Sequence, residues 1–140
     1  MSDIVLPVKY IIESVRWEGQ LVSVGGQDGT SIVGLRHVMG GTQTWKVRNN
    51  PSTGMVTFQG VHPSPFPDEG KYIAVDKQAC LLDEASWFRL IKAETGLDTF
   101  MVEDAEYHTG WHLHNNQDGC PVTVNNVLLP GGQWKLKPVS

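Results

Sequence analysis

An all-β domain built from three repeats is the fold class that this sequence predicts. Three observations predict it. The first is a recurring tryptophan stretch: Gln43-Thr44-Trp45-Lys46-Val47, Ser86-Trp87-Phe88-Arg89-Leu90 and Gln133-Trp134-Lys135-Leu136. The tryptophans recur about every 45 residues, a period that marks a repeat architecture. The second is a match about 90 residues apart, two such periods. Tyr10-Ile11-Ile12-Glu13-Ser14-Val15 lies on Phe100-Met101-Val102-Glu103-Asp104-Ala105. Continued without a gap, this register sets Trp17 on Tyr107, Leu21 on Trp111, Ser23 on Leu113, and Gln27-Asp28-Gly29 on the identical Gln117-Asp118-Gly119. The third is the texture of the chain: short runs of β-branched and aromatic residues, broken by Gly, Pro, Asn and Asp. The one helix-like run, Asp83 to Ser86, is too short to count.

In chain order, Val8 to Val15 reads as the first strand, with Tyr10 and Ile12 on one face, and Arg16-Trp17-Glu18-Gly19 as a turn. Gln20 to Val24 is the second strand. Gly25-Gly26-Gln27-Asp28-Gly29 is a hairpin loop, because Asp-Gly supplies the positive φ that such turns need. Ser31 to Val38 and Gln43 to Arg48 are strands three and four, separated by Gly40-Gly41, and Asn49 to Gly54 turns into the second repeat. There Met55 to Phe58, Lys71 to Val75, Cys80 to Leu82 and Trp87 to Lys92 are strands. Between the first two runs Val61 to Gly70, with Pro63, Pro65 and Pro67. Proline cannot donate to a strand ladder, so this is a stiffened surface loop that presents Phe66. The third repeat, from Thr99, has Gly110 to His114 as its second strand, a polar turn Asn115-Asn116-Gln117-Asp118-Gly119, then Val122 to Leu129 and the last Trp strand. Four strands in each of three units, closed by pseudo-threefold symmetry, make a twelve-stranded β-trefoil with no exposed sheet edge. One domain is expected over 1–140, with repeats near 8–50, 51–95 and 96–138. Trp45, Trp87 and Trp134 are expected in its core.

Composition narrows the class. At 140 residues and 40% hydrophobic, with five tryptophans, the chain is long and apolar enough to bury a core. A net charge of −4 supplies no basic patch, so nucleic acid is not an expected partner. No apolar run approaches the roughly 18 residues of a membrane helix, so no membrane insertion is expected. Met1-Ser2-Asp3-Ile4 lacks the basic-then-apolar pattern of a secretory signal. A cytoplasmic protein, or one released without a signal peptide, is expected. Cys80 and Cys120 sit in different repeats and are read as free thiols.

Catalytic machinery is not evident. There is no G-x-S-x-G, and neither cysteine has an activating context. His112 and His114 have strand spacing and share a face, but no third ligand stands near in sequence, so a solvated strand face is the preferred reading. Asp68-Glu69 and Asp83-Glu84 are adjacent pairs whose side chains diverge, whereas an acid and a base must converge on one bond. No enzyme, cofactor or metal is expected. Sugar binding needs less: an aromatic face for the C–H side of a pyranose, and a few amides or carboxylates for its hydroxyls. Two copies of that set occur. One is Trp17 with Gln27 and Asp28. The other is Tyr107 or His108 with Asn115, Asn116, Gln117 and Asp118. Turn chemistry accounts for each Asp-Gly equally well. The coincidence of an aromatic with Gln-Asp-Gly in both copies favours function.

The three Trp endings resemble those of the ricin-B-type β-trefoil lectins, whose repeats close on Q-x-W. Gln43-Thr44-Trp45 keeps that motif, whereas the other endings read Ala85-Ser86-Trp87 and Gly132-Gln133-Trp134. Ser23 stands where repeat one would need the galactose-reading Asp of that family, and Asp76 is no clear substitute in repeat two, so a galactose site is not carried over. Trp111-His112-Leu113-His114-Asn115 is similar to a W-x-L-x-N run of short fungal β-trefoil lectins, among them the mushroom mannose-binding lectins related to the lectin-like light subunit of tyrosinase. The resemblance implies a non-catalytic protein with a glycan or monosaccharide ligand, mannose first among them, and allows a protein partner. The scaffold also resembles fungal β-trefoil protease inhibitors, which would act here through loop 61–70, since a stiff loop loses little entropy on binding.

Overall fold

The computed structural model describes residues 8–25, 31–37, 42–61, 71–76, 78–82, 84–93, 96, 98–106, 108–125 and 132–139. Among them lie thirteen strand segments and no α-helix. The first repeat contributes β1 (Val8–Ser14), β2 (Leu21–Gly25), β3 (Ser31–Leu35) and β4 (Thr44–Asn49). The second contributes β5 (Val56–Val61), β6 (Tyr72–Asp76), β7 (Gln78–Leu82) and β8 (Phe88–Lys92). The third contributes β9 (Thr99–Asp104), β10 (Gly110–His112), β11 (Cys120–Pro121), β12 (Thr123–Asn125) and β13 (Trp134–Val139).

Six of these strands close a ring. β1 pairs with β4, β4 with β5, β5 with β8, β8 with β9, β9 with β13, and β13 returns to β1, every pairing antiparallel. Six of the remaining seven strands form hairpins, β2 with β3, β6 with β7 and β10 with β12. β3 joins the hairpins together, pairing with β7 at Ser31↔Cys80 and with β11 at Cys120↔Gly34. A closed six-stranded barrel capped by three hairpins is the β-trefoil that the repeats predict. The count differs in one place. The third strand of repeat three is split, because Pro121 has no amide hydrogen and β11 and β12 take different partners.

Alternation fills the barrel. In β4, Trp45 and Val47 face inward; in β13, Trp134 and Leu136 do, with Lys135 and Lys137 outside. Phe58, Phe88 and Trp111 meet at centroid distances of 5.2–5.7 Å, and Trp134 stands edge-on to Trp111 at 6.1 Å. Burying a side chain of this kind contributes roughly 2–3 kcal/mol.

Two expectations need correction. Trp87 is 43% exposed, and the aromatic that repeat two buries is its neighbour Phe88, at 0%. Successive strand residues point to opposite faces, so only one of the pair can enter the core. The gapless register of repeats one and three also slips by one residue. The Trp45 indole N–H donates to the Val22 carbonyl (3.0 Å) and the Trp134 indole to the Trp111 carbonyl (3.4 Å), each 23 residues back. Trp111 therefore matches Val22, and His112 matches Ser23. The extra residue lies in the first turn, which Ser14 N–H closes on the Gln20 carbonyl, whereas Asp104 N–H closes on Thr109. Both thiols are free.

Candidate functional site

Trp17 lies in the turn between β1 and β2, and its ring reaches out of its own repeat. The indole N–H donates to the Leu113 carbonyl at 2.8 Å, just ahead of the 114–119 turn of repeat three. The turn holds Trp17 in place: its N–H donates to the Ser14 hydroxyl (3.0 Å), and Gly19, at φ 90°, brings its N–H onto the Glu13 carboxylate (2.8 Å). Arg16 lies over the half-buried indole, 5.1 Å from its centroid, where a stacking pyranose would compete with it.

Three of the sequence-predicted residues meet at this junction: Trp17, Asn116 and Asp118. Gln20 supplies the tie. Its amide N–H2 donates to the Asn116 carbonyl (3.0 Å) and to Asp118 Oδ1 (3.2 Å). The Arg36 backbone N–H donates to the same Oδ1 (3.2 Å), and the Arg36 guanidinium stands 3.7 Å away. The hydrogen bond from Gln20, then that from Arg36 N–H, hold the Asp118 carboxyl below its ordinary range; they outweigh an opposing effect of burial, and the nearby guanidinium charge adds the least. The carboxylate is thus kept ionised and fixed in direction. The described donors converge on Oδ1, which leaves Oδ2 for a ligand. Part of the turn is committed to structure: Asn115 Oδ1 accepts from Gln117 N–H (2.9 Å), an Asx turn, and Gly119, at φ 90°, donates to the Gly34 carbonyl (2.8 Å).

The rest of the predicted set is not assembled as expected. Gln27, Asp28 and Tyr107 lie outside the described residues, as do 62–70 of the proline-rich loop. His108 is exposed and takes a left-handed φ of 58°; its N–H donates to the Asp104 carbonyl at 2.9 Å. The described contacts of its turn lead to Asp104 and, through Ala105, to Trp87, and not to Asn115 through Asp118. The pairing of aromatic and polar turn is between repeats rather than within one. Gln20 and Arg36 were not singled out in the sequence, where nothing links them to a residue 82 to 98 positions away.

A second concavity lies elsewhere, a cleft of about 440 Å³ lined by Asn50, Thr53, Met55, Trp87, Asp104 and Glu106 among others. Trp87 is its exposed aromatic wall. The signal in the sequence was the Trp87-Phe88 pair itself, since alternation sends one of the two outward.

His112 and His114 are in edge-to-face contact, centroids 4.6 Å apart. His112 is 9% exposed, and its Nδ1 has no described hydrogen-bond partner. Burial, and then the neighbouring His114, push its pKa below the ordinary value. Among the described residues no group of three His, Cys, Asp or Glu converges as a metal site.

No family model matches the sequence, and a search of curated proteins finds no match. Solved structures do match. A ricin B-like lectin from Macrolepiota procera, in complex with lactose, is similar at a TM-score of 0.78 and 16% identity, over 97% of this chain and 99% of that one. The Rhizoctonia solani agglutinin is similar at 0.75 and 22%, over 99% and 100%. A proteinase inhibitor from Coprinopsis cinerea is similar at 0.72 and 13%, over 97% and 100%. The fold is a β-trefoil. At these identities the likeness extends to the fold and no further, and lectin and inhibitor share it.

Proposed function

We propose that this β-trefoil is a non-catalytic carbohydrate-binding protein, a lectin, and that it reads a mannose-type pyranose at the junction of Trp17 with the Asn116–Asp118 turn. The observation that carries the reading is the Asp118 carboxylate, oriented through Oδ1 by Gln20 and Arg36, in the same turn region to which Trp17 is tied through the Leu113 carbonyl. A carboxylate oxygen can accept from two adjacent sugar hydroxyls, and charge-assisted bonds are the strong ones. Orientation in advance lowers the entropy lost on binding. The lactose complex of the Macrolepiota procera lectin supports the ligand class, since that protein uses the same scaffold. An exposed carboxylate competes with water for every sugar hydroxyl, so affinities between millimolar and micromolar are expected, about −4 to −8 kcal/mol.

Asp118→Asn is the discriminating variant. Its amide oxygen can still accept from Gln20 and from Arg36 N–H, so the turn keeps its ties while the charged acceptor is lost. Calorimetry with methyl α-mannopyranoside should show affinity falling about tenfold with the melting temperature little changed. Equal affinity in the two proteins would reduce Gln-Asp-Gly to a turn. The likeness to the Coprinopsis cinerea inhibitor favours a second reading, protease inhibition through loop 61–70. A protease panel run beside a glycan array separates the two.

A further inference from the structure

The cleft beside Trp87 has the chemistry of a sugar subsite in its own right. Trp87 is 43% exposed, while Phe88, its neighbour, is fully buried and pairs with Val56 and Asp104. Its backbone is pinned on both sides. The Trp87 carbonyl accepts from Ala105 N–H at 2.9 Å, and the preceding Ser86 accepts from Val75 N–H on its hydroxyl at 3.0 Å. The indole is therefore presented from a rigid strand end rather than from a loose loop.

The opposite wall is equally ordered. Thr53 and Gly54 N–H donate to the Asn50 carbonyl (3.2 and 2.7 Å), and Ser52 N–H donates to Asn50 Oδ1 (2.9 Å). That use of Oδ1 leaves the amide N–H2 of Asn50 as the donor edge at the cleft. Glu106, exposed on the far rim, supplies an acceptor. An aromatic face, a donor and an acceptor around about 440 Å³ match a pyranose, within the range of roughly 300–1,000 Å³ usual for small-ligand sites. The charge of the lining decides which kind. Glu106 is acidic and exposed, Asp104 is acidic and buried, and among the described residues no Lys or Arg lines the cleft. A carboxylated or sulfated sugar would meet like charge.

We propose that this cleft, between the β4–β5 turn and the first turn of repeat three, is a second saccharide subsite, selective for an uncharged pyranose stacked on Trp87. The ligand class rests on the lectin reading; the place and the charge selectivity do not. With Trp17 it makes the protein bivalent, two aromatic platforms served by different repeats.

Nitrogen-15 spectra of the whole protein test this, with the Trp17 and Trp87 indole signals assigned through Trp→Phe variants. The probes are the methyl glycosides of mannose, galactose, N-acetylglucosamine, glucose and glucuronic acid. A saturable shift of the Trp87 signal with at least one neutral glycoside is expected. The glucuronide should bind at least about fivefold more weakly than the glucoside, and Glu106→Gln should narrow that gap. Asn50→Ala, with its melting curve recorded, should weaken the neutral ligand by about threefold or more. A Trp87 signal that none of the neutral glycosides moves overturns the proposal, and so does a glucuronide that binds as well as the glucoside. Movement of Trp17 alone leaves the Asp118 reading standing without the cleft. Movement of Trp87 alone upholds the cleft and sinks the Asp118 site.

Discussion

Repeats one and three end on the same device, and repeat two does not. Trp45 and Trp134 are wholly buried, and each gives its indole N–H to a carbonyl 23 residues earlier. In repeat two the core position passes to Phe88, whose side chain has no N–H to give, and the tryptophan stands one residue earlier and out at the surface. One position along a strand is the difference between core and solvent. The barrel accepts Phe at the third site because Phe58 and Trp111 close around it at 5.7 and 5.2 Å. The tryptophan set free by that exchange is the one that lines the cleft.

Alanine at these positions should separate the two kinds of aromatic most widely. Trp45→Ala, Trp134→Ala and Phe88→Ala should each cost roughly 3–5 kcal/mol in chemical denaturation, a large share of the stability of a domain this size. Trp87→Ala should cost less than about 1 kcal/mol, as for a surface change. A Trp87→Ala loss as large as that of Trp45→Ala would put the indole in the core and remove the comparison.

The same exchange marks how far the sequence could be read. Period and turn chemistry are local, and they were sufficient for the all-β class, the three repeats and the roles of Trp45 and Trp134. Adjacent aromatics are a different matter. Trp87 and Phe88 both suit a strand, and what selects Phe88 is the partner set Phe58 and Trp111, distant in the chain. The candidate site was legible in its residue types and not in its assembly. Trp17 and Asp118 were both picked out, but in separate sets, because the indole bond to Leu113 spans 96 residues and crosses a repeat boundary. The one-residue slip between repeats one and three was invisible for a related reason. The identical Gln-Asp-Gly triplets stand beyond it in the sequence, and repeat three regains the frame with one more residue between its paired strands, Trp111↔Val124 against Val22↔Gly34.

The slip creates a second, smaller contrast, Ser23 against His112. Ser23 is buried and satisfied, accepting from the Gln43 amide at 2.9 Å and donating to the Leu21 carbonyl at 2.8 Å. His112 is buried with Nδ1 unpartnered and His114 against its ring. Its pKa in the fold lies below the ordinary 6.5, so the unfolded chain takes up the proton first. Stability is therefore complete above about pH 6.5 and is lost as pH falls toward the folded value. Glu13 acts lower. Burial raises its pKa, but Lys137, the Gly19 N–H and Lys135 outweigh that and lower it overall, so its contribution is lost only as pH falls below the ordinary carboxylate value of 4.5. Denaturation at pH 7.5 and at about pH 5 should show wild type weakening and His112→Ser, which installs the residue of repeat one, holding level. A variant with the wild-type slope would place the sensitivity elsewhere.

The smallest expected effect belongs to the turns where the slip occurs. Gly19 and His108 hold matching places, each with a left-handed backbone, at φ 90° and 58°. Glycine adopts that region freely, whereas a side chain there costs roughly 1–2 kcal/mol. Repeat one has the relaxed residue and repeat three the strained one. His108→Gly should relieve the strain, though glycine also gains freedom in the unfolded chain, so a net gain of about 0.5–1 kcal/mol is expected in denaturation. No gain would mean that the imidazole makes a compensating contact in the fold. Strain of this kind persists where a side chain is needed, and His108 sits three residues past Ala105, whose N–H fixes Trp87. If His108 helps to hold a sugar at that end of the cleft, the glycine variant is more stable and binds more weakly. More stable with unchanged affinity would make the histidine incidental to the site. The two measurements on one variant thus separate a turn that is merely strained from one whose strain serves a ligand.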